Sequence, residues 1–160
     1  MIVILILIGI IAALFAGAFF SKRRFGVLGL GLAAGAVISP IWGENAGYIV
    51  SAAGIVPEGP LVNAIAASAI ILIPAVLFMF NGYTYKHIVG RVIGSLLFAF
   101  LATAFLVEPI GSVMTLTGPV GVAYQWIVSN RELIISVGLA FVIVDFLFAR
   151  TVQKPEKKHR

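Results

Sequence analysis

The twenty residues from Leu61 to Phe80, LVNAIAASAIILIPAVLFMF, carry no charge. At about 1.5 Å per residue, a helix of that length matches the ~30 Å hydrocarbon core of a bilayer. Eleven of the twenty are Leu, Ile, Val or Phe. Each of these favours insertion by about 0.3–0.6 kcal/mol at mid-membrane. The stretch is expected to span, and its flanks orient it. Glu44 and Glu58 precede it, and no Lys or Arg occurs between Phe25 and Phe80, whereas Lys86, His87 and Arg91 follow. Basic residues collect on the cytoplasmic side. Leu61 is therefore expected outside and Phe80 inside, and the other spans follow by alternation.

Composition extends this reading to the whole chain. Of its 160 residues, 61 % are hydrophobic and 11 % charged, with a mean hydropathy of +1.14. Soluble domains carry about 25 % charged residues. The expectation is an all-α polytopic membrane protein, one compact bundle without a separate soluble domain. The absence of cysteine excludes a disulfide, a thiolate nucleophile and a Cys-ligated metal. The net charge of +5 lies beside apolar spans. It is assigned to orientation and to anionic lipid head groups on the inner side, and not to nucleic acid.

Five spans are expected, at about residues 1–20, 25–42, 61–80, 88–107 and 133–149, followed by a basic cytoplasmic tail over 151–160. The first apolar run has no basic region before it and Ser21-Lys22-Arg23-Arg24 after it. That placement is the reverse of a signal peptide and predicts a retained span with its N-terminus outside. In the second span Pro40 is expected to bend or end the helix. A short interfacial helix is expected between Trp42 and Pro60, anchored by Trp42 and Tyr48. Pro74 should kink the third span by freeing the Ile70 carbonyl. Glu108-Pro109 is expected to stop the fourth span.

The segment from Glu108 to Glu132 is too polar and too broken by Gly and Pro to span, and is left as either interfacial or re-entrant. Within it, Thr117-Gly118-Pro119-Val120-Gly121 has a faint likeness to a potassium filter, but the proline is foreign to that pattern. With the N-terminus outside and the C-terminus inside, ten of eleven Lys and Arg residues fall inside, and four of six acids fall outside.

Few residues offer chemistry. Asp145 is the one acidic residue within a span, five residues before Arg150. A mid-bilayer Asp costs about 2.5–3.5 kcal/mol, so it needs a partner or a task. One reading is an ion pair with Arg91, Lys86, Lys22 or Arg23 at neighbouring inner helix ends. The other is proton or ion coupling. Gly31 and Gly35, and likewise Gly90 and Gly94, stand four apart and share a helix face, which suits close helix packing. Asn63 is expected to hydrogen-bond near a helix terminus. His87 and His159 lack metal-ligand spacing. Serines lack an activating base, so no enzyme, catalytic residue, metal or cofactor is expected. The outer Glu44, Glu58 and Glu108 could draw cations towards a pore mouth.

Lys22-Arg23-Arg24-Phe25-Gly26 forms a basic and aromatic hinge between the first two spans. It precedes a glycine-rich second span, and Arg91-Val92-Ile93-Gly94 opens an apolar fourth span. Over roughly residues 1–110 this pattern resembles the colicin V production protein family of small inner-membrane proteins. The hinge departs from that family in lacking an Arg-Gly and a following acid. The resemblance implies a multi-pass protein of a bacterial-type cytoplasmic membrane, linked to secretion, envelope maintenance or small-solute transport. The alternative is a scaffold subunit of a larger membrane complex, packing through its small-residue faces, with a homo-oligomer as a third arrangement.

Overall fold

The apolar runs are long, and the chain turns only where Gly, Pro and charge cluster. The computed structural model describes residues 2–52, 59–111 and 119–151. Within these, the regular elements are helices: α1 (Ile2–Ser21), α2 (Phe25–Ala52), α3 (Pro60–Phe80), α4 (Ile88–Gly111), α5 (Pro119–Ser129) and α6 (Arg131–Thr151). Glu58, Thr117, Gly118 and the tail with His159 lie outside the described residues. Among the described residues, three helical stretches are long and apolar enough to cross a membrane: Phe25–Gly43, Pro60–Phe80 and Ile88–Gly111.

Successive long helices alternate in direction. The α1–α2 hinge, the α3–α4 loop and the Asp145 end of α6 meet at one end of the bundle, which carries Lys22, Arg23, Arg24, Lys86 and Arg91. This is the basic end of the bundle. Glu108 and Glu132 lie at the opposite, acidic end.

α4 is the central helix. It touches α1, α2, α3, α5 and α6, and every residue from Leu101 to Val107 is buried. Phe25, Leu28, Leu32, Phe98, Leu101 and Val142 fill the core between α2, α4 and α6. α3, the most apolar of the three spanning stretches, is the least buried. Only 28 % of its most apolar window is covered by protein, against 50 % for α2. The physical reason is that lipid rewards large apolar side chains, whereas helix contacts within a membrane reward small ones that let backbones approach. Ile65, Ile73, Leu77 and Phe80 of α3 are accordingly exposed.

Glycine placement fixes two of the contacts. A Cβ on Gly31 would come within 2.7 Å of the Ala75 Cα, and one on Gly35 within 2.7 Å of the Ile71 Cα, so α2 lies backbone to backbone on α3. A Cβ on Gly26 would meet the Phe146 amide nitrogen at 2.7 Å and the Val142 carbonyl at 2.9 Å, so the start of α2 lies equally close on α6.

Two boundaries differ from the sequence reading. α2 runs through Pro40 to Ala52 instead of ending there, and no separate interfacial helix forms over its last turns. Pro40 removes a single helical hydrogen bond, and the long contact with α3 holds the helix on course. α4 likewise passes Glu108 and Pro109 to reach Gly111. There Pro109 sits in the final turns, where few intrahelical bonds remain to be lost. The segment after it contains α5, packed on α4 and α6, with the Tyr124 hydroxyl donating to the Val107 carbonyl at 3.0 Å. Pro119, Val120 and Gly121 form the first turn of α5. Their backbone is therefore helical and not the extended carbonyl ladder of a filter.

Candidate functional site

At the basic end the hinge and the α3–α4 loop are tied together through their backbones. Lys22 adopts a left-handed conformation, φ 58°. This turns the chain so that residues 23 and 24 run antiparallel to 83–85. The Arg24 amide donates to the Tyr83 carbonyl at 2.9 Å, and the Tyr85 amide donates to the Lys22 carbonyl at 3.0 Å. Successive side chains of an extended segment point to opposite sides, and the two arginines diverge accordingly. Arg23 reaches the C-terminus of α3, where Nε donates to the Met79 carbonyl at 3.0 Å, Nη2 to the Phe80 carbonyl at 2.5 Å, and Nη1 to the Gly82 carbonyl. One guanidinium thus serves carbonyls that the helix leaves without partners, and its charge opposes the negative end of the helix dipole.

Arg24 turns the other way. Its Nη2 pairs with Oδ1 of Asp145 at 2.9 Å, and both side chains are largely buried, at 17 % and 18 % exposure. Oδ2 of Asp145 accepts from the Gly26 amide at 2.8 Å. The carboxylate from α6 therefore caps the N-terminus of α2, where the helix dipole favours negative charge. Gly26 permits this because only a glycine lets the α2 backbone come so near α6.

Tyr85 completes the cluster. Its ring lies 5.4 Å from the Arg24 guanidinium carbon, and its hydroxyl accepts from the Phe25 amide at 3.2 Å. Burial pushes the Tyr85 phenol above its ordinary range, opposed by the hydrogen bond from Phe25 and joined by the nearby Asp145 charge.

Arg91, expected as a partner of Asp145, is held elsewhere. Its Nη2 donates to the Phe19 carbonyl at 2.9 Å, and its guanidinium lies 4.4 Å from the Phe19 ring centroid. It ties α4 to the end of α1. Gly90 and Gly94 also differ from expectation. Their shared face receives the Tyr85 ring and not another helix, since a Cβ on either would fall within 2.9 Å of that ring. Gly31 and Gly35 do face a helix, α3. Arg24 and Tyr85 were not singled out from the sequence. The signal available was the adjacency of Arg23 and Arg24 just before a helix, but the direction each takes depends on the turn at Lys22.

A cavity of about 530 Å³ lies between α2, α3, α4 and α6 at the acidic end. Its polar lining comes from Ser39, Asn63, Glu108 and Arg131, and its floor includes Ile71 and Phe105 of the core. Ile71 is eleven residues into α3, about 16 Å from the start of the helix, or roughly half the hydrocarbon thickness. Asn63 makes no capping bond for α3, whose N-cap is Gly59. Its amide oxygen lies against Gly47 of α2, where a Cβ would come within 2.5 Å of it. At the rim Arg131 and Glu108 form an ion pair of 2.5 Å, with side chains 32 % and 69 % exposed.

Comparison with known proteins identifies no relative. No protein-family model, curated protein or solved structure matches the chain. The geometry therefore carries the functional argument. Among the described residues no three His, Cys, Asp or Glu side chains come together as a metal-binding group.

Proposed function

We propose that the chain is a non-enzymatic, five-span protein of a bacterial-type cytoplasmic membrane that passes small solutes. Its N-terminus is outside and its C-terminus inside, and it is of the colicin V production type. Secretion or envelope maintenance is the cellular setting that this resemblance implies. α1 and α6 add two spans to the three stretches that are long and apolar enough to cross. The basic end faces the cytoplasm, where Lys22 and Lys86 meet anionic head groups.

The observation that carries this reading is the cavity. It lies at the acidic end and reaches roughly mid-membrane. Towards the basic end, core side chains and the Arg24–Asp145 cluster close the bundle. Solute sites near the midplane are the usual arrangement in transporters. Pro40 and Pro109 both line this cavity.

The scaffold reading has less support. It needs a free stripe of small residues, yet Gly31 and Gly35 are covered by α3, and Gly90 and Gly94 by Tyr85.

Three measurements test the proposal. Fluorescent-protein and alkaline-phosphatase fusions after Phe80, Gly111 and Arg160 should report inside, outside and inside. A fluorescent signal after Gly111 or an active phosphatase after Arg160 refutes the orientation. Purification in mild detergent should yield a lone protein or a small homo-oligomer, and a stoichiometric larger partner would favour the scaffold. Proteoliposomes should take up small solutes faster than protein-free vesicles, and equal rates across a panel of small solutes refute passage.

A further inference from the structure

The acidic-end cavity holds two features that solute passage in general does not require. The first is an opposed pair of charges at one rim. Arg131 and Glu108 satisfy each other through one guanidinium nitrogen, but Nε of Arg131 is buried and has no hydrogen-bond partner. The second is a pair of prolines in the lining, Pro40 and Pro109. A proline has no N–H for the carbonyl four residues before it. For Pro40 that carbonyl belongs to Ala36 and for Pro109 to Phe105, and both residues line the cavity. The site thus offers guanidinium donors on α6. On α2 and α4 it offers a carboxylate and the carbonyls of Ala36 and Phe105. Beneath them lies an apolar floor of Ala67, Ile71 and Phe105.

We propose that this cavity binds a small zwitterion with an apolar side group, of the size and chemistry of leucine. Arg131 takes its carboxylate, Glu108 and these two carbonyls take its ammonium, and the side group lies on the apolar floor. The reason is charge balance. A bare anion that engages Arg131 would pull it from Glu108 and leave that carboxylate unpaired, and a bare cation would do the reverse. With Arg131 32 % and Glu108 69 % exposed, stranding either costs little, so the zwitterion is favoured by matching both charges. A zwitterion replaces one ion pair by two and strands neither. The volume of about 530 Å³ lies within the roughly 300–1,000 Å³ of small-molecule sites, which are mostly apolar with a few converging polar groups. The assignment rests on the solute-passage reading for its biological meaning, and its test separates the two.

The test uses the full chain in lipid nanodiscs and tritiated L-leucine as the probe. Saturable binding is expected. Leucinamide, which keeps only the ammonium, and 4-methylpentanoate, which keeps only the carboxylate, should each compete about tenfold or more weakly than leucine. Arg131→Gln and Glu108→Gln should each weaken binding by about tenfold or more, and Ala67→Phe, which fills the floor, should abolish it. Glu108 is well exposed, so Glu108→Gln should keep the parental melting temperature and serve as the folding control. The proposal is overturned if leucine fails to bind at about 1 mM. It is equally overturned if either single-charge analogue competes as well as leucine, or if Glu108→Gln binds like the parent. Leucine bound without uptake into proteoliposomes refutes passage and leaves the ligand assignment standing. Uptake of another solute class without leucine binding overturns the assignment and leaves passage standing.

Discussion

Replacing Asp145 tests the basic-end cluster most directly. Its carboxylate makes two charge-assisted hydrogen bonds, to Arg24 at 2.9 Å and to the Gly26 amide at 2.8 Å. Such bonds contribute about 1.5–3 kcal/mol each. Asp145→Ala removes both and strands the Arg24 guanidinium. For a fully buried pair that costs about 3–5 kcal/mol. The residual exposure of 17 % and 18 % lets water reach the cluster and lowers the expected loss to about 3 kcal/mol. At about 2–4 °C per kcal/mol for a chain of this size, the melting temperature should fall by about 6–12 °C.

Asp145→Asn keeps an acceptor for Gly26 and loses the ion pair, so about half of that fall is expected. Arg24→Ala combined with Asp145→Ala should show a coupling of about 1 kcal/mol or more, whereas Arg91→Ala with Asp145→Ala should be additive within about 0.5 kcal/mol. The assay is thermal unfolding of purified protein in one detergent, with solute uptake measured on the same variants. Equal losses for Ala and Asn, or coupling to Arg91 and not Arg24, would refute the assignment. An Asp145→Asn protein with parental melting temperature and no uptake would instead give the carboxylate a coupling role.

Gly35→Ala should destabilise by about 1–3 kcal/mol because its Cβ meets α3 backbone, which cannot rotate away. Gly9→Ala, whose Cβ meets nothing within 4 Å, should be neutral or stabilise by up to about 1 kcal/mol through helix propensity; thermal unfolding of the pair reads the contrast. Arg23→Ala should cost about 1–2 kcal/mol by unpairing the α3 carbonyls. Arg23→Lys should restore only part of that loss, since an ammonium cannot reproduce the guanidinium fork. Tyr85 has a folded pKa raised above 10.0. Its contribution is therefore whole below pH 10 and is lost as pH rises through the folded value. Melting temperatures of Tyr85→Phe should decline less between pH 9 and pH 11 than those of the parent.

Hydropathy and charge placement are local properties, and the sequence was sufficient for them. The uncharged run of Leu61–Phe80, the basic hinge at Lys22-Arg23-Arg24 and the lone Asp145 near a helix end determine an all-helical chain. They also place the basic residues named here at one end of the bundle, away from Glu108 and Glu132. The spacing of Gly31 and Gly35 determined a close-packing face. The identity of each partner was decided only by tertiary structure, because a partner depends on directions that single residues do not encode.

The left-handed turn at Lys22 sends Arg24, and not Arg91, to Asp145. The slot at Gly90 and Gly94 fits an aromatic ring as well as a helix, and the loop places Tyr85 there. Pro40 would end an isolated helix, yet α2, packed along α3, continues through it to Ala52. The cavity is the clearest case. Ser39, Asn63, Glu108 and Arg131 lie far apart in the sequence, where Asn63 reads only as a helix-end hydrogen-bonder and Glu108 as a rim charge. They converge because α2, α3, α4 and α6 alternate in direction and leave a gap lined by Pro40 and Pro109.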